Sequence, residues 1–148
     1  MISRLIPLMC LAFLLAGGLG SAQAQNAAVD SLDTEAIQEV IAGQMEAFAR
    51  DDGEAAFAFA APAIREKLGD AVHFMAMVKS GYAAVYRSRK VTFGELVAHQ
   101  SHLSVQRVYV VGSDARLLAF DYVMERQAGG EWRIAGVYLY RAPGDGST

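Results

Sequence analysis

Asp121 is the residue of this sequence best suited to acid–base chemistry, because it lies in an apolar, strand-like segment. Burial in an apolar cavity would raise the pKa of its carboxyl group and make it a general base for proton transfer. A tyrosine such as Tyr138 would then be the proton donor. The alternative is that Asp121 points outward and pairs with Arg107 or Arg133 on a neighbouring strand. A one-residue shift in strand register exchanges the two outcomes, so the sequence leaves both open.

Aromatic and basic residues are concentrated in the segment 73–93 and recur near the end of the chain. They suggest a pocket opening with aromatic side chains in its wall and basic groups at its rim. Such a rim suits a small apolar or anionic ligand, because arginine binds carboxylates through two parallel hydrogen bonds. The alternative is that the rings fill the seam between helix and sheet while the charged ends reach water. The predicted ligand-binding residues are Tyr82, Tyr86, Arg87, Trp132 and Tyr138.

The sequence predicts no metal and no cofactor. His99 and His102 are three residues apart in a strand-like or loop segment, a spacing that places them on opposite faces of a strand. His73 is distant in sequence, and a zinc site needs three or four convergent ligands. A nucleophile elbow, a phosphate-binding loop and a dinucleotide-binding fingerprint are all missing from the sequence.

Residues 1–24 have the pattern of a secretory signal peptide. Arg4 precedes an apolar run, and Ala-Gln-Ala at 22–24 has the small-x-small form that precedes cleavage. The apolar run is shorter than the roughly 20 residues of a spanning helix. We therefore predict an exported protein, periplasmic or secreted, without a membrane anchor after cleavage. The single cysteine, Cys10, would be removed with the signal peptide, which excludes disulfides and a cysteine nucleophile from the mature chain.

The residue pattern of the mature chain predicts helices followed by strands. After a flexible leader at 25–32, apolar residues recur at helical spacing up to Gly81. From Lys90 the period changes to two, which predicts strands at 90–93, 103–111, 117–126 and 132–141, with 96–100 either extending the first strand or forming its own. This segregation predicts one α+β domain over 33–141, with N-terminal helices on one face of an antiparallel sheet, and a flexible tail at 142–148. The excess of acidic over basic residues indicates that nucleic acid is not a partner.

The last predicted strand is apolar on both faces. Trp132, Ile134, Tyr138 and Tyr140 would share one face, with Gly136 marking open space or a bulge. The other face would carry the intervening alanine, valine and leucine. Since helices cover only one face of such a sheet, something else must cover the second. A second copy of the chain is the commonest answer, and we predict a homodimer through the sheet. A ligand or a partner protein is the alternative.

Several short motifs are similar to a known superfamily. The stretches "AFAFAAPAI", "FMAMVKSGY", "VYR", "VTF" and "WRIAGVYL" resemble an uncharacterised group of bacterial exported proteins, domain of unknown function 4864, within the nuclear-transport-factor-2-like superfamily. The resemblance implies a strongly bent antiparallel sheet wrapped around helices as a cone, which often encloses an apolar pocket. Members of the superfamily include isomerases, dehydratases and domains without chemistry, and no activity is established for the group.

Three functions are compatible with these observations. The missing catalytic set favours a small-ligand-binding or accessory module over an enzyme. A cofactor-free isomerase or dehydratase that uses Asp121 and Tyr138 is the second hypothesis. A structural or partner-docking envelope protein without a pocket is the third.

Overall fold

The computed structural model describes residues 20–143, with side chains described from residue 31. In this part of the chain five helices precede four strands, and helices before strands is the order that the sequence predicts. The strands form one antiparallel sheet in sequential order, curled but not closed, so the predicted α+β class with a bent sheet is confirmed. The elements are α1 (Gly20–Ala49), α2 (Gly53–Ala58), α3 (Pro62–Leu68), α4 (Ala71–Gly81), α5 (Ala83–Tyr86), β1 (Lys90–Gln100), β2 (Leu103–Val111), β3 (Leu117–Arg126) and β4 (Trp132–Leu139).

Helix α1 supplies one wall of the core through apolar residues at helical spacing, among them Ile37, Ile41 and Phe48, which are buried. The helix begins at Gly20 and therefore includes the segment 25–32, for which the sequence predicts a flexible leader. That segment, Gln-Asn-Ala-Ala-Val-Asp-Ser-Leu, contains two alanines and a leucine, which have good helix propensity, beside polar residues that have less. Residues 1–19 of the predicted signal peptide and 144–148 of the predicted tail lie outside the described residues. No helix in the described part of the chain is long and apolar enough to cross a membrane.

The turn after α1 depends on an aspartate rather than on a glycine. Asp51 has a φ of 55°, a left-handed conformation that aspartate tolerates better than most residues. Gly53, two residues later, begins α2. The carboxylate of Asp52 caps α2 by accepting a hydrogen bond from the backbone N–H of Ala55 at 3.0 Å. Asp70 caps α4 in the same way, through the N–H of His73.

The sheet has two chemically different faces. On β2 and β3 the side chains that face the helices are buried, including Val108, Phe120 and Tyr122. Their neighbours in sequence point to the opposite side, which we call the outer face. Arg107 and Asp121 are directly opposite each other on that face. This alternation follows from the period of two in a β-strand.

A β-bulge changes the faces of β4. Gly136 is opposite Val123 and Ile134 is opposite Met124, so Ala135 is an extra residue in β4. Such an insertion reverses the side on which the following residues point. The sequence indicates Gly136 as the place where the strand bends, and the bulge is there.

The bulge makes one prediction about β4 wrong. Trp132 faces the helices, but beyond the bulge Val137 takes that side, opposite the buried Tyr122. Tyr138 is opposite Asp121 and therefore lies on the outer face. The predicted face that joins Trp132 with Tyr138 is split in two, because the sequence pattern assumes an unbroken period of two.

Candidate functional site

A cavity of about 470 Å³ lies between the helices and the inner face of the sheet. Its volume falls within the range of small-molecule sites. The walls are mostly apolar, and Phe48, Ile64, Phe74 and Ile134 contribute to them. Lys67 of α3, an exposed residue, is the one charged side chain among the described residues that line the cavity.

Tyr122 is the most unusual residue of the cavity. Its side chain is 0% exposed, and none of the described residues forms a hydrogen bond with its Oη. Burial raises the pKa of the Tyr122 phenol, with a smaller contribution from the nearby Tyr82. The phenol is therefore neutral, with a hydroxyl that can donate and accept a hydrogen bond. Leaving such a buried group without a partner costs about 1–3 kcal/mol.

Gln44 is the second buried polar residue that lines the cavity. It lies in the apolar stripe of α1 and is 3% exposed. Its side-chain Nε2 donates a hydrogen bond to the backbone carbonyl of Ala56 at 3.1 Å, which fixes the orientation of the amide. Gln44 thus ties α1 to α2 and is one of the residues that line the cavity.

The structure places two of the five predicted ligand-binding residues on the cavity. Tyr82, at the junction of α4 and α5, is half-buried and donates a hydrogen bond from Oη to the carbonyl of Val137 at 3.0 Å. Tyr138 is on the outer face of β4 but also reaches the cavity edge. Its ring folds across Gly136, where an added Cβ would approach the ring within 2.8 Å. Only a glycine at this position lets the tyrosine lie so close to the strand.

Tyr86 and Arg87 are not on the cavity; they hold the turn after α1. Arg87 Nη2 donates to both carboxylate oxygens of Asp51, at 2.9 and 2.7 Å, and Arg87 Nη1 donates to the carbonyl of Phe48 at 2.7 Å. Tyr86 Oη donates to the same carboxylate, and the Arg87 guanidinium lies 3.9 Å from the Tyr86 ring centre. These hydrogen bonds, from Tyr86 and then Arg87, lower the pKa of Asp51.

Trp132 is also away from the cavity. It is 3% exposed, and its Nε1 donates a hydrogen bond to the Asp33 carboxylate at 3.2 Å. The same carboxylate forms an ion pair with Arg126 at 3.3 Å. Trp132 therefore joins the first residues of β4 to α1, and its contacts are those of a core residue.

Asp121 points away from the cavity. Its carboxylate accepts hydrogen bonds from Arg107 Nε at 2.6 Å and from Arg107 Nη2 at 3.1 Å, and the two side chains are 26% and 21% exposed. The Arg107 guanidinium also lies 3.4 Å from the centre of the Tyr140 ring. This is the outward alternative that the sequence leaves open. The geometry gives no support to proton transfer by Asp121 in the cavity.

The histidines do not converge. His73 Nδ1 lies 2.8 Å from Asp70, and both side chains are exposed. His99 and His102 are exposed near the turn between β1 and β2. Among the residues that the structure describes, no three histidine, aspartate or glutamate side chains are grouped so that they could hold a metal ion.

Sequence reasoning missed Tyr122 and Gln44 as site residues. Both occupy positions of an otherwise apolar pattern, so the sequence marks them as core. The available signal was their polarity at such a position, since a buried polar group needs a partner. Which partner it has depends on side-chain geometry that the periodicity does not contain.

The fold is similar to that of a solved protein. A crystal structure of an NTF-2 like protein of unknown function from Shewanella oneidensis MR-1 matches with a TM-score of 0.53 and 21% sequence identity. The match covers 72% of this chain and 98% of that chain. At this identity the likeness concerns the fold, and it confirms the predicted nuclear-transport-factor-2-like architecture. No curated protein matches the chain.

A family is shown by a match over most of the sequence. Residues 30–147 match the family described as Domain of unknown function (DUF4864). The matched range includes every residue of the cavity described above, and the chain belongs to this family.

Proposed function

We propose that the protein is an exported module that binds a small ligand in the cavity between helices and sheet. The observation that carries this proposal is the hydroxyl of Tyr122, which is buried at the cavity and has no partner among the described residues. A core that needed no ligand would lose nothing with phenylalanine at this position. Because Oη is closed to solvent in this structure, a ligand oxygen would supply the missing hydrogen bond after a small shift of the side chains around it.

The cavity supports a ligand that is mainly apolar and carries one polar group. Its walls offer aliphatic and aromatic side chains, and two buried residues, Gln44 and Tyr122, offer hydrogen bonds. Lys67 at its edge favours a carboxylate over a cation. A straight-chain or cyclic carboxylic acid has this chemistry.

The test is binding of alkanoates from hexanoate to hexadecanoate, measured by displacement of a fluorescent apolar probe. We expect at least one chain length to bind, and we expect Tyr122→Phe to weaken its affinity about tenfold, because one hydrogen bond to a buried donor is lost. Val72→Ala is the matched control, since Val72 is an exposed apolar residue of α4 that does not line the cavity. Equal affinity of Tyr122→Phe and wild type, or no binding of any alkanoate, would refute the proposal.

We propose further that the outer face binds a second copy of the chain. Val97, Val105 and Val123 form a row across three strands of this face. The next row contains the Arg107–Asp121 pair, and Tyr109 lies beyond it. A face with a strip of valines beside one satisfied ion pair suits an interface between identical subunits, because a two-fold axis pairs the strip with itself.

Substitution of a valine in this row tests the dimer. Val105→Glu places a charge in the middle of the row while its side chain points away from the core. We expect wild type to have the mass of a dimer by light scattering and Val105→Glu to have that of a monomer. Val72→Glu, on the helix layer, is expected to stay dimeric. A monomeric wild type would show that the second copy is absent.

Export is proposed from the N-terminal sequence pattern alone. We expect the protein in the periplasmic or secreted fraction with a new N-terminus after Ala24, which Edman sequencing or intact mass would detect. Replacing Ala22 and Ala24 by aspartate is expected to prevent processing, since the peptidase needs small residues there. Retention of residues 1–24 in the wild-type protein would contradict this proposal.

A further inference from the structure

A second cavity, of about 430 Å³, adjoins the first. Three residues line both cavities: Tyr82, Val137 and Tyr138. We infer that Tyr82 is the specificity-determining residue that limits the length of the ligand. This inference rests on the proposed binding function and concerns the chain length of the ligand.

Tyr82 is held between the two cavities from three directions. Its Oη donates to the Val137 carbonyl of β4, and its ring lies against Phe120 of β3, with 6.5 Å between ring centres. Its backbone N–H donates to the carbonyl of Val78 at 2.8 Å, at the end of α4. The hydrogen bond spans from the helix layer to the edge strand, so the tyrosine ring separates the two spaces.

The second cavity is shaped to accept the end of a chain. Gly81, Ala83 and Ala84 line it from the helix side with small side chains, and Leu118 and Phe120 line it from the sheet. At its edge Arg116 is paired with Asp114 through a contact of 2.7 Å and is exposed. A chain that passed Tyr82 would therefore meet apolar walls first and a charged rim last.

Truncation of Tyr82 should join the two cavities. In wild type, a linear ligand anchored at Tyr122 can extend only to the Tyr82 ring, so added methylene groups beyond that length remain in water. With Tyr82→Ala they would enter the second cavity. Tyr82→Phe keeps the ring in place and removes only the hydrogen bond to Val137.

The experiment measures affinity against chain length for the same alkanoate series. We expect the affinity of wild type to rise with chain length up to a cut-off. Tyr82→Ala should shift the cut-off to longer chains, and the first chains beyond the wild-type cut-off should bind it on the order of tenfold tighter, as expected from burial of two more methylenes. Tyr82→Phe should keep the wild-type cut-off, and Val72→Ala is the control.

Two failures are distinguishable. If wild type binds alkanoates with a cut-off and Tyr82→Ala has the same cut-off, the inference about Tyr82 is wrong while the binding function stands. If wild type binds no alkanoate, both fall. Thermal unfolding shows whether Tyr82→Ala folds. If it does not, Tyr82→Leu, whose side chain is shorter than the phenol, takes its place, and the same two outcomes apply to it.

Discussion

Tyr122 and Asp121 are neighbours in β3, yet their polar groups have opposite situations. Asp121 lies on the outer face and is paired with Arg107 through two hydrogen bonds. Tyr122 lies on the inner face, is 0% exposed, and has a hydroxyl without a partner among the described residues. The ionisable group that sequence inspection favours is satisfied, whereas the group that looks like ordinary core is not.

The difference teaches where chemistry is available in this fold. The Asp121 carboxylate accepts one hydrogen bond from arginine on each of its oxygens, and proton abstraction by it would require breaking at least one of them. A buried hydroxyl without a partner, such as that of Tyr122, costs free energy until something binds it. Of the two groups, the Tyr122 hydroxyl is the one that still has hydrogen bonds to offer, which supports the proposed ligand site on the inner face.

Trp132 tests whether an inner-face polar group that has a partner is structural. Trp132→Ala should lower the free energy of unfolding by about 3–5 kcal/mol, because it removes a large buried side chain and the hydrogen bond to Asp33. Urea denaturation followed by circular dichroism measures the change. Trp132→Phe, which retains most of the apolar surface, should lose less stability and keep wild-type alkanoate affinity. Loss of alkanoate binding in a stable Trp132→Phe protein would mean that Trp132 contributes to the ligand site.

Arg107 tests the paired group of the outer face. Arg107→Ala should lower the free energy of unfolding by about 1–3 kcal/mol, because the Asp121 carboxylate is mostly shielded from water and would lose its donors. The double variant Arg107→Ala/Asp121→Ala should be less destabilised than the sum of the single variants, which a double-mutant cycle measures at fixed protein concentration. Strict additivity would contradict the pairing.

Tyr122→Phe should have the opposite sign on stability. We expect the ligand-free variant to gain about 1 kcal/mol in free energy of unfolding, since a buried hydroxyl without a partner is removed. Tyr82→Phe is the matched comparison, because the hydroxyl that it removes is bonded to Val137; it should lose about 1 kcal/mol. Destabilisation of both variants by the same amount would mean that Tyr122 is as well satisfied as Tyr82.

Much of the fold is readable from the sequence because it follows from periodicity. The change from helical spacing to alternation near Lys90 locates the helices before the strands. The strands β2 and β3 have the predicted bounds, whereas β1 continues beyond the predicted 90–93 as far as Gln100. These features depend on local residue patterns, which the sequence contains in full.

The candidate site was harder to predict from the sequence because it depends on the placement of single residues. One inserted residue at Ala135 separates Trp132 from Tyr138, and a sequence pattern cannot distinguish a bulge from a regular strand when both faces are apolar. The partners of Tyr86 and Arg87 lie in the turn after α1, more than 30 residues away. Of the predicted rim, Tyr82 and Tyr138 remain on the cavity.

The smallest change in stability is expected for the cluster of Asp51, Tyr86 and Arg87, in which the paired carboxylate is exposed. Asp51→Asn keeps a residue that tolerates the φ of 55° but removes the charge. The pKa of Asp51 is lowered by its hydrogen bonds from Tyr86 and Arg87, below its ordinary value of 3.8. A lowered pKa in the folded state stabilises the protein above the pKa of the unfolded state. This contribution is lost as the pH falls through the lowered pKa.

The difference in stability between wild type and Asp51→Asn should therefore be small and constant at neutral pH. It should shrink toward zero as the pH falls below about 4, where the unfolded chain begins to protonate. Urea denaturation at a series of pH values measures it, with the exposed Glu66→Gln on α3 as the control for removal of one negative charge. A difference that grows in acid would mean that the carboxylate is not the form that Tyr86 and Arg87 stabilise. The Asp51 carboxylate would then not be a satisfied partner of the kind that Asp121 is for Arg107 on the outer face.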